Sequence, residues 1–372
     1  ELESAHEVAG VSRVPLRYLH MPRAAARSKR RPRVDRSRAA RAARPTRAAP
    51  AASGMWNLDR IDWAAARGLP GFQDADEQRI AVLDTGIDAG HSDLVDLQLE
   101  YVHAYPDAGV AASDRDIVGH GTHVAGTIGA AIGNALGING ICRCRLIAYK
   151  IFADNPAFFS LRDGFQYVVE PRMYVAALAD CLERGVNVIN LSIGGTAAPD
   201  ETEAALFELL LDAGVTIVAA MGNEREEGSP TSYPAAMDGV IAVGATSRND
   251  RVANFSNGGP HIALCAPGVA IWSTLPRYPG QFGFEAIPTP EGPRHGQPQS
   301  RETEYDAWPG TSMASPHVAG AAALLLANNR RMTPAQVREG LMNTADRVAG
   351  MGGADFDLDY GAGRLNLKRL LS

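Results

Sequence analysis

The chain of 372 residues is 45% apolar, 21% charged and 6% aromatic, which supplies a packed core and excludes a wholly disordered or collagen-like chain. Its net charge of −6 conceals a split, because residues 1–54 hold 13 Lys and Arg against 4 Asp and Glu, whereas residues 55–372 hold 23 against 38. So acidic a body has no charge-based reason to bind nucleic acid, and no run approaches the roughly 18 apolar residues of a membrane span.

Residues 21–47 (MPRAAARSKRRPRVDRSRAARAARPTR) are rich in Arg and Ala and lack apolar periodicity, so they bury too little surface to offset the entropy of ordering. Residues 1–54 are therefore expected to be a basic, unstructured extension ahead of a globular domain over 55–372. No apolar stretch typical of a signal peptide follows the basic residues, and the chain begins at Glu1 rather than Met, which leaves an upstream export signal open.

From Met55 onward, strand-like runs alternate with helical ones. Near-continuous apolar runs at 79–84 (RIAVLD), 146–152 (LIAYKIF), 186–191 (VNVINL), 215–220 (VTIVAA) and 240–245 (VIAVGA) read as strands buried on both faces. Helical patterns lie between them at 122–131, 171–184 and 200–213, and Gly185 and Gly214 stand where two of those helices would end. The order strand, helix, strand predicts an α/β fold: a doubly wound, mostly parallel sheet with helices on both faces. Cys142 and Cys144, one residue apart, would make a strained bridge and have no second pair for a metal site. Cys181 and Cys265 fall on apolar faces, so all four cysteines are read as free thiols.

Ligands of such sheets gather beyond the carboxyl ends of the strands. The first strand ends at Asp84, the fourth runs into Met221-Gly222-Asn223-Glu224, and His120 and Ser312 open small-residue helices in GHGTHVAG and GTSMASPH. Taken singly these residues have plain readings: Asp84 as a turn former, Ser312 as a helix cap, Asn223 as a turn residue. Together they supply what acyl transfer needs. Ser312 is the hydroxyl to be activated, His120 the base and Asp84 the acid that fixes the base's tautomer. The Asn223 side-chain amide and the Ser312 backbone N–H are donors for a developing oxyanion.

The segments VLDTGID, GHGTHVAGTI, NLSIGGT, VAAMGNE and GTSMASPHVAG resemble, in order, the signature segments of the subtilisin-like serine proteases, over about residues 56–367. The resemblance implies a subtilisin-like serine endopeptidase with Asp84, His120 and Ser312 as its triad and Asn223 as its oxyanion donor. It also implies that Ser192, Ile193, Gly194 and Gly195 on one side, and Ala219, Ala220, Met221 and Gly222 on the other, edge the pocket for the residue before the scissile bond. Neither edge is charged and Ser232 lies near the pocket floor, so large apolar or aromatic residues are expected there. His123, inside HGTH, is left a packing or hydrogen-bonding role.

No cofactor is implied for the chemistry. A structural calcium is implied by the likeness of residues 132–138 to the family's calcium loop, with Asn134 as a side-chain ligand and Asp93 as the supporting carboxylate; an ordinary Gly-rich turn is the competing reading. Polypeptide substrates, a monomeric state and an extracytoplasmic location complete the expectation. A peptide ligase with the same triad and a silent binding module of the same fold are the alternatives. Two stretches exceed the family's usual length. The first, 153–173, would adjoin the non-primed groove. The second, 276–309, holds 7 Pro and 4 Gly in 34 residues and is expected to be an irregular loop, either a surface insertion or a cover over the leaving-group side.

Overall fold

The apolar runs form the middle of one sheet in the structure, a computed structural model that describes residues 15–19, 55–95, 97–105, 113–329 and 331–372. In chain order the elements are β1 (Tyr18–Leu19), α1 (Trp56–Arg60), α2 (Trp63–Arg67), β2 (Arg79–Asp84), β3 (Gln98–Val102), α3 (His120–Gly129), β4 (Arg145–Lys150), β5 (Ala157–Ser160) and β6 (Gly164–Gln166). Then come α4 (Pro171–Glu183), β7 (Val188–Leu191), β8 (Ile193–Gly194), α5 (Glu201–Asp212), β9 (Thr216–Ala220), β10 (Ile241–Thr246), β11 (Ile262–Pro267) and β12 (Ile271–Leu275). The last are β13 (Gln281–Ile287), β14 (Arg294–Ser300), β15 (Glu304–Trp308), α6 (Thr311–Asn328), α7 (Pro334–Asn343) and α8 (Leu367–Leu370).

Seven strands pair in the order β11-β10-β9-β7-β2-β4-β3, every pair parallel. Alternate residues of β2 serve two cores: Ile80 and Val82 join the cluster that includes Val124 of α3 and Val318 of α6, whereas Ala81 and Leu83 join Met173 of α4 and Phe207 of α5. This is the doubly wound arrangement expected. Gly185 and Gly214 follow α4 and α5 with φ of 59° and 88°, a conformation that suits the residue just past a helix end. Two strands of this sheet went unread in the sequence. Both are outermost: β3, where charged and apolar residues mix, and β11.

The two long stretches differ from expectation in a shared way. Residues 276–309 are not an irregular loop: they carry β13, β14 and β15. β13 pairs antiparallel with β6 of the 153–173 stretch, so the two insertions build one four-stranded sheet, β14-β13-β6-β5. Its glycines allow this contact, since a Cβ on Gly283 would lie 2.1 Å from the Phe165 carbonyl oxygen. The pairing ties 276–309 to the 153–173 stretch. Within the N-terminal extension, residues 15–19 are not an unstructured tail, because β1 pairs antiparallel with β8. The Arg/Ala-rich stretch 21–47 lies outside the described residues.

Candidate active site

Asp84 is the last residue of β2, at the carboxyl edge of the sheet, and is 1% exposed. Both of its carboxylate oxygens lie close to Nδ1 of His120, at 2.8 and 2.9 Å. A carboxylate only accepts, so Nδ1 carries the proton and Nε2 presents its lone pair. That Nε2 is buried and, among the described residues, has no hydrogen-bond partner.

Another carboxylate, which the sequence reading missed, sets the imidazole's position. Asp116 accepts from the Gly119 and Thr122 backbone N–H groups (2.7 and 2.9 Å) and from the hydroxyls of Thr85 and Thr122 (both 2.7 Å). Thr85 Oγ1 in turn accepts from Gly121 N at 2.9 Å. Asp116 thereby clamps the end of β2 to the first turn of α3, satisfying N–H groups that a helix start leaves unpaired. Its signal in the sequence is an acid four residues before a helix-opening His.

Ser312 is the second residue of α6. Pro316 lacks the N–H that would bond the Ser312 carbonyl, and Ser192 Oγ donates to that oxygen instead at 3.1 Å. Ser312 Oγ donates back to the Ser192 carbonyl oxygen at 3.1 Å, so the two serines are cross-braced. Asn223 lies just beyond β9, and its Oδ1 accepts from both the backbone N–H and the hydroxyl of Thr311, each at 3.0 Å. With the oxygen pinned on Thr311, Nδ2 is the end of the amide that points elsewhere. Thr311 was also not singled out in the sequence; its hydroxyl further accepts from Gly222 N at 3.2 Å.

Of the residues read as pocket edges, Ile193 and Gly194 form β8, Ser192 precedes it and Gly195 exchanges backbone hydrogen bonds with Tyr233. Ala219 and Ala220 are the last two residues of β9, and Met221 and Gly222 continue from it. Ser232 is 2% exposed. His123 stacks on Trp308 with ring centroids 4.9 Å apart, and burial, reinforced by His120, lowers its pKa to about 3. His317 accepts from Asn57 Nδ2 at Nε2 and donates from Nδ1 to Met313 O, and burial lowers it to about 4. Both are neutral packing residues.

The structure brings Asp93 and Asn134 together, as hydrogen-bond partners. Asp93 Oδ1 accepts from Asn134 Nδ2 (2.8 Å), and Oδ2 accepts from Ile138 N (2.9 Å) and the Tyr305 hydroxyl (3.0 Å). Asn134 Oδ1 is turned to Leu136 N. Donors converge on this carboxylate where a calcium ion needs a shell of oxygens, so the arrangement does not fit a calcium cage. Among the described residues no group of three or more His, Cys, Asp or Glu is placed to hold a metal. The four cysteines are buried and unbridged.

The sequence profile of the subtilase family matches residues 75–363. The chain is 32% identical to subtilisin DY of Bacillus licheniformis over 84% of its own length and 95% of the relative's, and 35% identical to subtilisin BL of Lederbergia lenta over 84% and 96%. Among solved structures, fervidolysin from Fervidobacterium pennivorans, a keratinolytic enzyme related to subtilisin, superposes with a TM-score of 0.63 at 30% identity. That match covers 85% of this chain and 45% of fervidolysin. The psychrophilic subtilisin-like protease Apa1 from Pseudoalteromonas sp. AS-11 shares the fold, with a TM-score of 0.65 at 22% identity over 85% of this chain and 96% of Apa1. Family chemistry of this kind needs no cofactor, and the chain belongs to the subtilases, the subtilisin-like serine endopeptidases.

Proposed function

We propose that the chain hydrolyses peptide bonds through an acyl-enzyme on Ser312, with His120 as general base, Asp84 as its orienting carboxylate and Asn223 as oxyanion donor. The observation that carries this reading is the contact of both Asp84 oxygens with Nδ1, which leaves a buried lone pair on Nε2. In the working cycle Ser312 Oγ turns from the Ser192 carbonyl to Nε2 and gives up its proton as it attacks the scissile carbonyl carbon. The oxyanion takes hydrogen bonds from Asn223 Nδ2 and the Ser312 N–H, while Asp84 stabilises the imidazolium. His120 then protonates the leaving amine and, in the second half, takes a proton from water as it attacks the ester.

The pocket between Ser192, Ile193, Gly194 and Gly195 and the Ala219, Ala220, Met221 and Gly222 edge, with Ser232 at its base, is read as taking apolar or aromatic residues. A basic residue would need a buried carboxylate to compensate it, and none of these residues supplies one. The Asp93–Asn134 loop is read as closed by hydrogen bonds rather than by calcium. Polypeptides are the substrate class, and a monomer acting outside the cytoplasm is carried over from the family resemblance. Among the described residues no helix is long and apolar enough to cross a membrane. Turnover of an internally quenched peptide library by the chain and by Ser312→Ala tests the reading. Cleavage after apolar residues that vanishes in the variant is expected; cleavage that persists in Ser312→Ala overturns it.

A further inference from the structure

Residues 15–19 lie along β8 as an added strand. Tyr18 pairs with Gly194 and Leu19 with Ile193, both antiparallel, while on the other side Tyr18 bridges Val168 and Val169 N donates to the Arg17 carbonyl oxygen at 3.2 Å. The segment is thus held through its backbone from both edges, the way an extended peptide is bound between strands. Gly195 makes room for it, because a Cβ there would stand 2.5 Å from the Leu16 carbonyl oxygen. Antiparallel pairing directs the strand past Ile193 toward Ser192, whose carbonyl oxygen holds Ser312 Oγ.

Side chains alternate along such a strand. Leu16 is 52% exposed and Arg17 is fully buried. Arg17 donates from Nε to Glu203 Oε1 (3.1 Å), from Nη2 to Oε2 (2.6 Å) and from Nη1 to the Ala197 carbonyl oxygen (2.7 Å). The pairing is bidentate, and both side chains are fully buried. Glu203 is built into the body of the enzyme. It sits in the first turn of α5, where the helix end favours an anion, and accepts from the Tyr174 hydroxyl at 3.0 Å. Glu203 therefore keeps support for its charge when no guanidinium is present.

From this geometry we propose that Glu203 is the base of an arginine-selective subsite in the non-primed groove, and that residues 15–19 are its occupant in the resting chain. The inference rests on the reading of the groove above as the substrate channel. In a substrate laid in the same register, the residue opposite Ser192 carries the scissile carbonyl. Arginine then stands three residues before it, in the fourth position from the cut. Three donors from one planar group meet two carboxylate oxygens and a carbonyl, which a lysine ammonium cannot reproduce. A buried carboxylate facing an apolar side chain would lose its charged partner, so the selection is against other residues as well as for arginine.

The test uses the full-length chain and pairs of octapeptides, identical except for Arg, Lys or norleucine at that position, competing in one tube. The ratio of their kcat/KM values is independent of how much of the groove residues 15–19 occupy. Arg over norleucine by about tenfold or more, and over Lys by several-fold, falling to within about twofold in Glu203→Gln, is the expected result. A wild-type ratio within about twofold, from a chain whose Ser312 still reacts with a fluorophosphonate, overturns the subsite and leaves the proposed function standing. If Ser312 does not react and no peptide is cut, the proposed chemistry fails. Calorimetric binding of the same peptides then decides the subsite by itself: tighter binding of the Arg peptide supports it and equal binding overturns it. The wild-type comparison needs no variant and holds even if Glu203→Gln fails to fold.

Discussion

The carboxyl end of the parallel sheet and the outer edge of the groove hold the same molecule's working parts by different means. Asp84, His120 and Ser312 are fixed by burial and by short hydrogen bonds: Thr85 N and His120 Nδ1 donate to Asp84, and Ser192 Oγ donates to the Ser312 carbonyl oxygen. The backbone at 168–169 belongs instead to the stretch that carries β5 and β6, braced by β13, and β13's other neighbour, β14, is exposed or half-buried along its whole length. Aromatic contacts knit that second sheet: His295 stacks on Phe284 at 4.7 Å and meets Phe165 edge-on at 4.2 Å. The rigid end is suited to chemistry, which loses rate steeply when geometry slips, and the braced edge to selection. Changes at the first should appear in kcat, and changes at the second in KM.

The largest effect expected at the rigid end is His120→Ala, which should remove nearly all turnover; in subtilisin, loss of the triad Ser or His lowers kcat about 2 × 10⁶-fold. Steady-state kinetics on one peptide ester would show it, and a modest loss would break the assignment. Asn223→Ala should lower kcat by roughly 10²–10³ with KM little changed, the size known for this donor in subtilisin. A change confined to KM would make Asn223 a binding residue. At the braced edge, Gly283→Val forces a side chain onto the Phe165 carbonyl and should part β13 from β6. There KM should rise severalfold while kcat holds, and an equal fall in kcat would erase the distinction between the two regions.

Smaller effects come from buried groups behind the site. His123 and His317 are held neutral in the fold, at about 3 and about 4, against 6.5 when unfolded. The unfolded chain therefore binds protons that the native state refuses, and stability falls as pH drops from 6.5 toward those values. The loss should be roughly 1.4 kcal/mol per pH unit for each histidine. Calorimetry between pH 7 and pH 4 should show a falling Tm, and a flat profile would contradict their burial as neutral rings. The smallest effect concerns the Asp93 loop. Chelation should leave Tm unchanged, whereas Tyr305→Phe, which deletes one donor to Asp93, should cost about 1 kcal/mol. A clear drop in Tm with chelator, reversed by calcium, would mean that the loop opens around an ion.

The two regions also differ in how far they can be read from sequence. β2 is legible to the residue at Arg79–Asp84, because a strand buried on both faces must be apolar throughout. α3 begins at His120, two residues before its apolar pattern suggests, because the Asp116 clamp supports a first turn that carries no apolar signal. The outer sheet was hidden for a physical reason. RHGQPQS in β14 has no apolar face of its own, and β13, the strand it pairs with, is itself anchored on β6, more than a hundred residues earlier in the chain. Arg17 was likewise hidden, since an arginine in a basic stretch reads as solvated until Glu203 is found beside it. Asp84, His120, Asn223 and Ser312 stood out because four chemically matched residues fell at the ends of predicted elements.

The central claim, that Ser312 is made nucleophilic by an imidazole fixed on Asp84, is tested most directly by reaction of the full-length chain with a fluorophosphonate, followed by peptide mapping. A single adduct on Ser312 is expected, absent in Ser312→Ala and formed about 10²–10⁴ times more slowly in His120→Ala. An adduct on a different serine, or an unchanged rate in His120→Ala, would contradict it.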